Sequence, residues 1–196
     1  MESIYGDSLS ELEELRARLM GRIEEVRKSY RDATGEDPVE HCLSRIKSEE
    51  SMREKCRRQG IPETKESALS VIHDAIGIRV VCAFLDDVFM IRDALKEIPG
   101  CEVFNEKDYI NNPKPNGYRS YHMILFCDGK YYAEFQLRTI SMDTWAALEH
   151  QLKYKKNLKC NISLVTSELK RCADELASTD LSMQTIRDMI NDGANG

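Results

Sequence analysis

Two carboxylates, Asp74 and Glu134, stand in settings that suit chemistry. Asp74 precedes Ala75-Ile76-Gly77-Ile78-Arg79-Val80-Val81-Cys82, a run so continuously apolar that it reads as a central, buried strand. An arginine near the start of such a strand needs an anionic or stacking partner, in a structural ion pair or on a ligand. In Tyr131 to Arg138, alternation sets Tyr131, Ala133, Phe135 and Leu137 on one face and Tyr132, Glu134, Gln136 and Arg138 on the other. The polar face is either an exposed edge or the wall of a site. If the two acids meet, they suit Mg²⁺, which proteins hold through one or two carboxylates and leave to substrate phosphates for the rest.

Cations and a stiff loop accompany them. Leu43-Ser44-Arg45-Ile46-Lys47 precedes Ser48-Glu49-Glu50, a helix N-cap with acids in the first turn. With Arg45 and Lys47 extended, their side chains point the same way. Ser51 and Lys55 follow one helical turn apart near the positive end of that helix. The run is a phosphate cradle or a solvated basic face. In Asn111-Asn112-Pro113-Lys114-Pro115-Asn116-Gly117-Tyr118-Arg119-Ser120-Tyr121-His122, two prolines stiffen the chain and Asn116-Gly117 bends it. Lys114, Tyr118 and His122 then offer an ammonium, a flat ring and an imidazole at four-residue steps, a set that suits a nucleobase and its phosphates.

The elements that must position these groups follow from periodicity. Leu12, Leu15, Leu19, Ile23 and Val26 predict a helix from Ser8 to Arg31, ended by the Thr34-to-Pro38 breaker. Ile162, Val165, Leu169, Cys172 and Leu176 predict another, with Leu181, Ile186 and Ile190 in a last short helix. Between them, Ile78–Phe84, Glu102–Tyr109, Tyr121–Phe126 and Tyr131–Leu137 read as strands, with a helix over Asp86–Ile98 and a hairpin turn at Cys127–Lys130. The fold class is α/β (α+β): a mixed sheet of four to five strands flanked by helices. Trp145, Leu148 and Leu152 have helical spacing and read as core.

At 196 residues the chain suits one domain with helical appendages. A net charge of −6, from 28 Lys and Arg against 34 Asp and Glu, argues against a nucleic-acid coat, and no stable nucleic-acid partner is expected. No run approaches the roughly 18 apolar residues of a membrane span, and the first ten residues lack a signal-peptide pattern. Seven cysteines at irregular spacing read as reduced packing thiols. A cytoplasmic protein is expected.

Taken in order, SRIK, HDAIGIRVVC, KDYINNPKPNGYRSYH and AEFQLRTISMDTWAALEHQLKYK closely resemble the alarmone synthetase domain of the RelA/SpoT family, and in size its small stand-alone members. The resemblance implies a nucleotidyltransferase-like fold and Mg²⁺-dependent transfer of pyrophosphate from ATP to the 3′-hydroxyl of GDP or GTP. By match of position, Arg45 and Arg79 sandwich adenine, while Lys47, Ser51 and Lys55 hold the ATP phosphates. Asp74 binds the metal; Glu134 readies the attacking hydroxyl and also touches the metal. Lys107, Lys114, Asn116, Tyr118 and His122 form the acceptor side, with Tyr118 on guanine and Gln136 and Arg138 in support. It also implies an oligomerising helix at 1–37, a catalytic domain at 38–157, C-terminal helices at 158–196 and a homotetramer. Regulated members carry an aromatic and a hydroxyl near His41 and Leu43, which argues against product activation here. A toxic branch that pyrophosphorylates tRNA or adenine nucleotides, and an idle nucleotide- or RNA-binding regulator, are the rival readings.

Overall fold

A computed structural model describes residues 3–154 and 161–194. The motif end at Lys155 and Lys156, the expected boundary at 157 and Cys160 lie outside the described residues. The elements are α1 (Ser8–Thr34), β1 (Val39–Ile46), α2 (Glu49–Gln59), a π-helical turn at Ser67–Val71, β2 (Ile76–Cys82), α3 (Leu85–Lys96), β3 (Cys101–Asp108), β4 (Tyr121–Cys127), β5 (Tyr131–Thr139), α4 (Ile140–Tyr154) and α5 (Ile162–Ala194).

Five strands form one sheet in the order β1-β2-β5-β4-β3. β2 runs parallel to β5 and the other three pairings are antiparallel. The three-residue connection from β4 to β5 turns on Asp128 and Gly129, both at positive φ (56° and 63°), and the Lys130 amide donates to the Cys127 carbonyl at 3.0 Å. The parallel register sets Gly77 opposite Glu134 and Arg79 opposite Gln136. Asp74, just ahead of β2, therefore arrives at the Glu134 end of β5.

The alternation read in β5 holds: Ala133, Phe135 and Leu137 are fully buried. Leu12, Leu15, Leu19 and Ile23 of α1 and Val88, Ile91 and Leu95 of α3 join the same core. Each such side chain contributes about 1.5–3 kcal/mol on burial. The apolar stripe of α1 is thus buried within its own chain, so a contact between copies through this helix would use its other faces.

Several expectations change. β1 is the strand not singled out from sequence, because apolar and polar residues are evenly mixed along it and only Val39 is fully buried. β2 ends at Cys82 rather than Phe84, since the Phe84 amide donates to Asp87 Oδ2 at 3.0 Å and opens α3. The two expected C-terminal helices are one, α5. Its polar middle does not break it: Thr179, Ser182 and Thr185 hydroxyls donate to carbonyls four residues back at 2.9–3.0 Å. Polar contacts dock it, with Thr139 Oγ1 donating to Asp180 Oδ2 at 2.6 Å and Arg187 pairing with the buried Asp87 at 2.9 Å. Of the expected α4 core, Trp145 is buried, but Leu148 and Leu152 are exposed. Among the described residues, no helix is long and apolar enough to cross a membrane.

Candidate active site

The open face of the sheet carries a cavity of about 250 Å³ lined by Leu43, Arg45, Lys47, Asp74, Gly77, Arg79, Glu134 and Gln136, among others. Register explains the set. Arg45, Gly77 and Glu134 form one row across β1, β2 and β5, and Leu43, Arg79 and Gln136 form the next. Nothing stands within 4 Å of where a Gly77 side chain would begin, so this glycine leaves the floor open between Arg45 and Glu134.

At one end of the cavity Ser48 caps α2, its Oγ accepting from the Ser51 amide, as the sequence predicts. Ser51 is exposed in the first turn, and Lys55 follows one turn on. Lys55 Nζ and Lys47 Nζ lie 2.7 and 3.0 Å from Asp74 Oδ2. Burial raises the Asp74 pKa, but the two ammonium groups outweigh it and hold this carboxyl below its ordinary value. Asp74 Oδ1 is buried with no hydrogen-bond partner among the described residues. A buried anionic oxygen of this kind calls for a ligand.

Glu134 links this end to the other. Gln136 Nε2 donates to Glu134 Oε2 at 3.2 Å, and His122 Nδ1 lies 3.8 Å from Oε1, an ion-pair separation. Burial and the negative charge of Asp74 push the Glu134 pKa up, yet His122 and Gln136 leave it below the ordinary carboxylate value. Tyr118 OH and His122 Nε2 are 2.8 Å apart, and Arg138 donates to Tyr118 OH at 2.8 Å and to Gln136 Oε1 at 3.1 Å. Lys114 Nζ sits over the rings of Tyr109 and Tyr118, at 4.7 and 4.8 Å. Lys107 is exposed on β3, directly across from His122. Asn116 holds the loop's shape: its Oδ1 accepts from the Tyr118 amide at 3.2 Å and its amide donates to Glu149. Gly117 has a φ of 91°, and a Cβ there would come 2.6 Å from Ala173, so only glycine lets the loop lie against α5.

The two ends also meet at Asp143, in the first turn of α4. Its Oδ1 accepts from Arg138 at 2.8 Å and lies 3.3 Å from Arg79 NH1, while His41 Nε2 is 3.9 Å from Oδ2. Arg79 thus has the anionic partner that its strand position demands, and its Nε is buried without a hydrogen-bond partner among the described residues. What results is a cavity with cations, two ionised acids and an aromatic loop, arranged along one sheet face.

The model for the region found in RelA and SpoT proteins matches residues 44–159, more than half of the chain. The chain belongs to the RelA/SpoT family. Within it, the chain is 38% identical over 173 residues to the GTP pyrophosphokinase YwaC of Bacillus subtilis (strain 168), covering 85% of this chain and 82% of YwaC. It is 30% identical over 190 residues to the GTP pyrophosphokinase YjbM of the same organism, covering 92% and 85%. The crystal structure of the small alarmone synthetase 1 of B. subtilis, bound to its product pppGpp, superimposes with a TM-score of 0.77 at 30% identity over 93% of each chain. The five-stranded sheet with helices at both termini is this family's small-synthetase fold.

In this member of the RelA/SpoT family, of the residues read from sequence, Arg45, Lys47, Asp74, Arg79, Glu134 and Gln136 line the cavity itself, Lys55 reaches it through Asp74, and His122, Tyr118 and Arg138 adjoin it through Glu134 and Gln136, whereas Asn116 turns to Glu149. Asp143 escaped that reading, as did Tyr109, whose ring packs edge-on to those of Tyr118 and His122. A signal existed for Asp143: an acid at a helix start, five residues past an arginine on the polar face of β5. Asp143→Asn keeps the shape but removes the charge that orders Arg79 and Arg138. Because misplacement by about 1 Å can cost about 10²-fold, kcat/KM is expected to fall by about that factor, with the fold intact by circular dichroism. Steady-state rates on the purified variant check this.

Proposed function

We propose that this chain is a (p)ppGpp synthetase that transfers pyrophosphate from ATP to the 3′-hydroxyl of GDP or GTP and releases AMP. The observation that carries the reading is the placement of Glu134 between two ends of one site: the cavity of Arg45, Arg79 and Lys47, with Lys55 reaching it through Asp74, on one side, and the Tyr118 and His122 loop on the other.

On the donor side, adenine lies between Arg45 and Arg79, and Lys47, Lys55 and Ser51 take the phosphates. The two ammonium groups now tied to Asp74 supply positive charge where an ATP polyphosphate ends. Asp74, with its unpartnered Oδ1, and Glu134 are the residues that would hold Mg²⁺. No group of three or more metal-binding side chains occurs among the described residues, which fits an ion completed by phosphates and water. When bound, Mg²⁺ supplies neutralisation of phosphate charge. On the acceptor side, guanine stacks on Tyr118, with Lys107, Lys114, Asn116 and His122 around it. Glu134 accepts the hydrogen of the 3′-hydroxyl, and that oxygen bonds to the β-phosphorus as the bond from β-phosphorus to the AMP oxygen breaks. The enzyme's contribution is position and charge.

The reading includes a cytoplasmic location and assembly as a homotetramer, and the exposed Ile162, Leu164, Leu181, Ile186, Met189 and Ile190 along α5 offer apolar surface for contact between copies. Tyr118→Ala removes the stacking ring. Base stacking is worth about 1–3 kcal/mol, so KM for the guanine nucleotide should rise roughly 5- to 150-fold with KM for ATP unchanged. The reading as a whole is tested by incubating the protein with Mg²⁺ and ATP against GDP, GTP, ADP and tRNA. Labelled ppGpp or pppGpp supports it; label on tRNA alone, or on adenine nucleotides alone, overturns the acceptor assignment.

A further inference from the structure

Away from the candidate site, Cys101 opens β3 and Cys127 closes β4, and the two are directly opposed in the antiparallel ladder. The flanking bond, from the Asp128 amide to the Gly100 carbonyl at 2.7 Å, makes 101 and 127 a non-hydrogen-bonded pair. In such pairs the Cα atoms approach to about 4.5 Å and the side chains are closest. That falls within the roughly 4.4–6.8 Å that a disulfide spans, so little backbone movement is needed to join them. Both cysteines are free thiols.

Their surroundings differ in a useful way. Cys101 is partly exposed, whereas Cys127 is fully buried. The Arg18 guanidinium stands near Cys101, held by Asp128 at 2.7 Å. The neighbouring Cys127 thiol first, and then the Arg18 charge, hold the Cys101 thiol below its ordinary pKa, while the neighbouring Cys101 and burial push Cys127 up. One sulfur is therefore reachable and thiolate-favouring, and the other waits beside it. Reactive cysteines have this combination of access and positive surroundings.

We propose that Cys101 and Cys127 form an oxidant-sensitive thiol pair, with Cys101 the sulfur attacked by a hydroperoxide and Cys127 the resolving thiol. The Cys101 thiolate bonds to the distal peroxide oxygen as the O–O bond breaks, giving a sulfenic acid and, with hydrogen peroxide, hydroxide that leaves as water. Cys127 sulfur then bonds to the Cys101 sulfur, the S–O bond breaks, and the departing hydroxide takes the Cys127 proton as a second water. Two thiols are oxidised to one disulfide and one peroxide is reduced. The ring so closed runs from 101 to 127 and contains the whole Asn111-to-Ser120 loop. Oxidation thereby ties the base of the segment that carries Tyr118 and narrows the unfolded ensemble of that segment.

The test treats the reduced full chain with one equivalent of hydrogen peroxide, alkylates it under denaturing conditions and maps it by mass spectrometry. The expected result is loss of two hydrogens, a link between tryptic peptides 97–107 and 120–130, reversal by dithiothreitol, and the same link in Cys172→Ser, which lacks the thiol that is exposed among the described residues. In Cys127→Ser, the Cys101 sulfenic acid should persist long enough for capture by dimedone. Recovery of Cys127 as an alkylated free thiol while Cys101 is oxidised further, or linkage only between two chains through Cys172, overturns the proposal. The wild-type map stands without any variant.

Discussion

Glu134→Gln is expected to lower turnover by about 10²–10⁴-fold, the range for loss of a positioned general base, while ATP binding stays nearly unchanged. The exchange preserves the shape at the centre of the β5 row and the bond from Gln136 can be remade to the amide oxygen. What it removes is a charge. Glu134 is held below the ordinary carboxylate pKa by His122 and Gln136 against burial, so it is ionised at neutral pH. The sign follows: activity resting on the ionised form is present above that pKa and lost only as pH falls through it, below the usual value of about 4.3. Glu134→Gln should show no such acid limb in its residual rate. Single-turnover rates with saturating ATP and guanine nucleotide, beside ATP titration in the absence of acceptor, separate the chemical step from binding. Wild-type turnover in the variant would remove Glu134 from the mechanism.

Asp74→Asn should cost about 10²–10³-fold in kcat and weaken the Mg²⁺ dependence of the rate, on the scale of losing one electrostatic element of a phosphoryl-transfer site. The geometry adds a less obvious expectation. Asp74 Oδ2 engages both Lys47 and Lys55, so replacing the carboxylate frees two ammonium groups for phosphate. ATP binding measured with EDTA present should therefore be retained or tightened even as turnover collapses. A variant that loses ATP affinity and turnover together, with unchanged Mg²⁺ dependence, would point instead to a structural role for Asp74 as the anchor of the two lysines. Titration calorimetry with and without Mg²⁺ distinguishes the two outcomes.

Much of this site was legible in the sequence because its residues sit in strands, where period two fixes the face. Glu134, Gln136 and Arg138 fall on one side of β5 by alternation alone, and Arg79 declares its need for an anion by its place in an apolar strand. Register was not legible. Only the parallel pairing of β2 with β5 brings Gly77 beside Glu134, and pairing partners have no local signature. Asp143 was missed for a related reason: its partners Arg79 and Arg138 come from two neighbouring strands, and an acid in a helix's first turn already has an ordinary explanation as a dipole partner. The unbroken α5 was hidden because hydroxyl residues that usually mark boundaries here fold back onto their own helix. Leu148 and Leu152 show the reverse failure, since helical spacing identifies an apolar face without saying whether anything in the same chain covers it.

In the proposed reaction pyrophosphate, rather than a single phosphoryl group, passes to a 3′-oxygen. The measurement that bears on this most directly follows ATP labelled separately at its β- and γ-phosphates through reaction with GDP and Mg²⁺, with products resolved and their attachment position determined. The expected product carries both labels on the guanosine 3′-oxygen and appears mole for mole with AMP. Formation of ADP with only the γ-label transferred, or extension at the 5′-end, would contradict it.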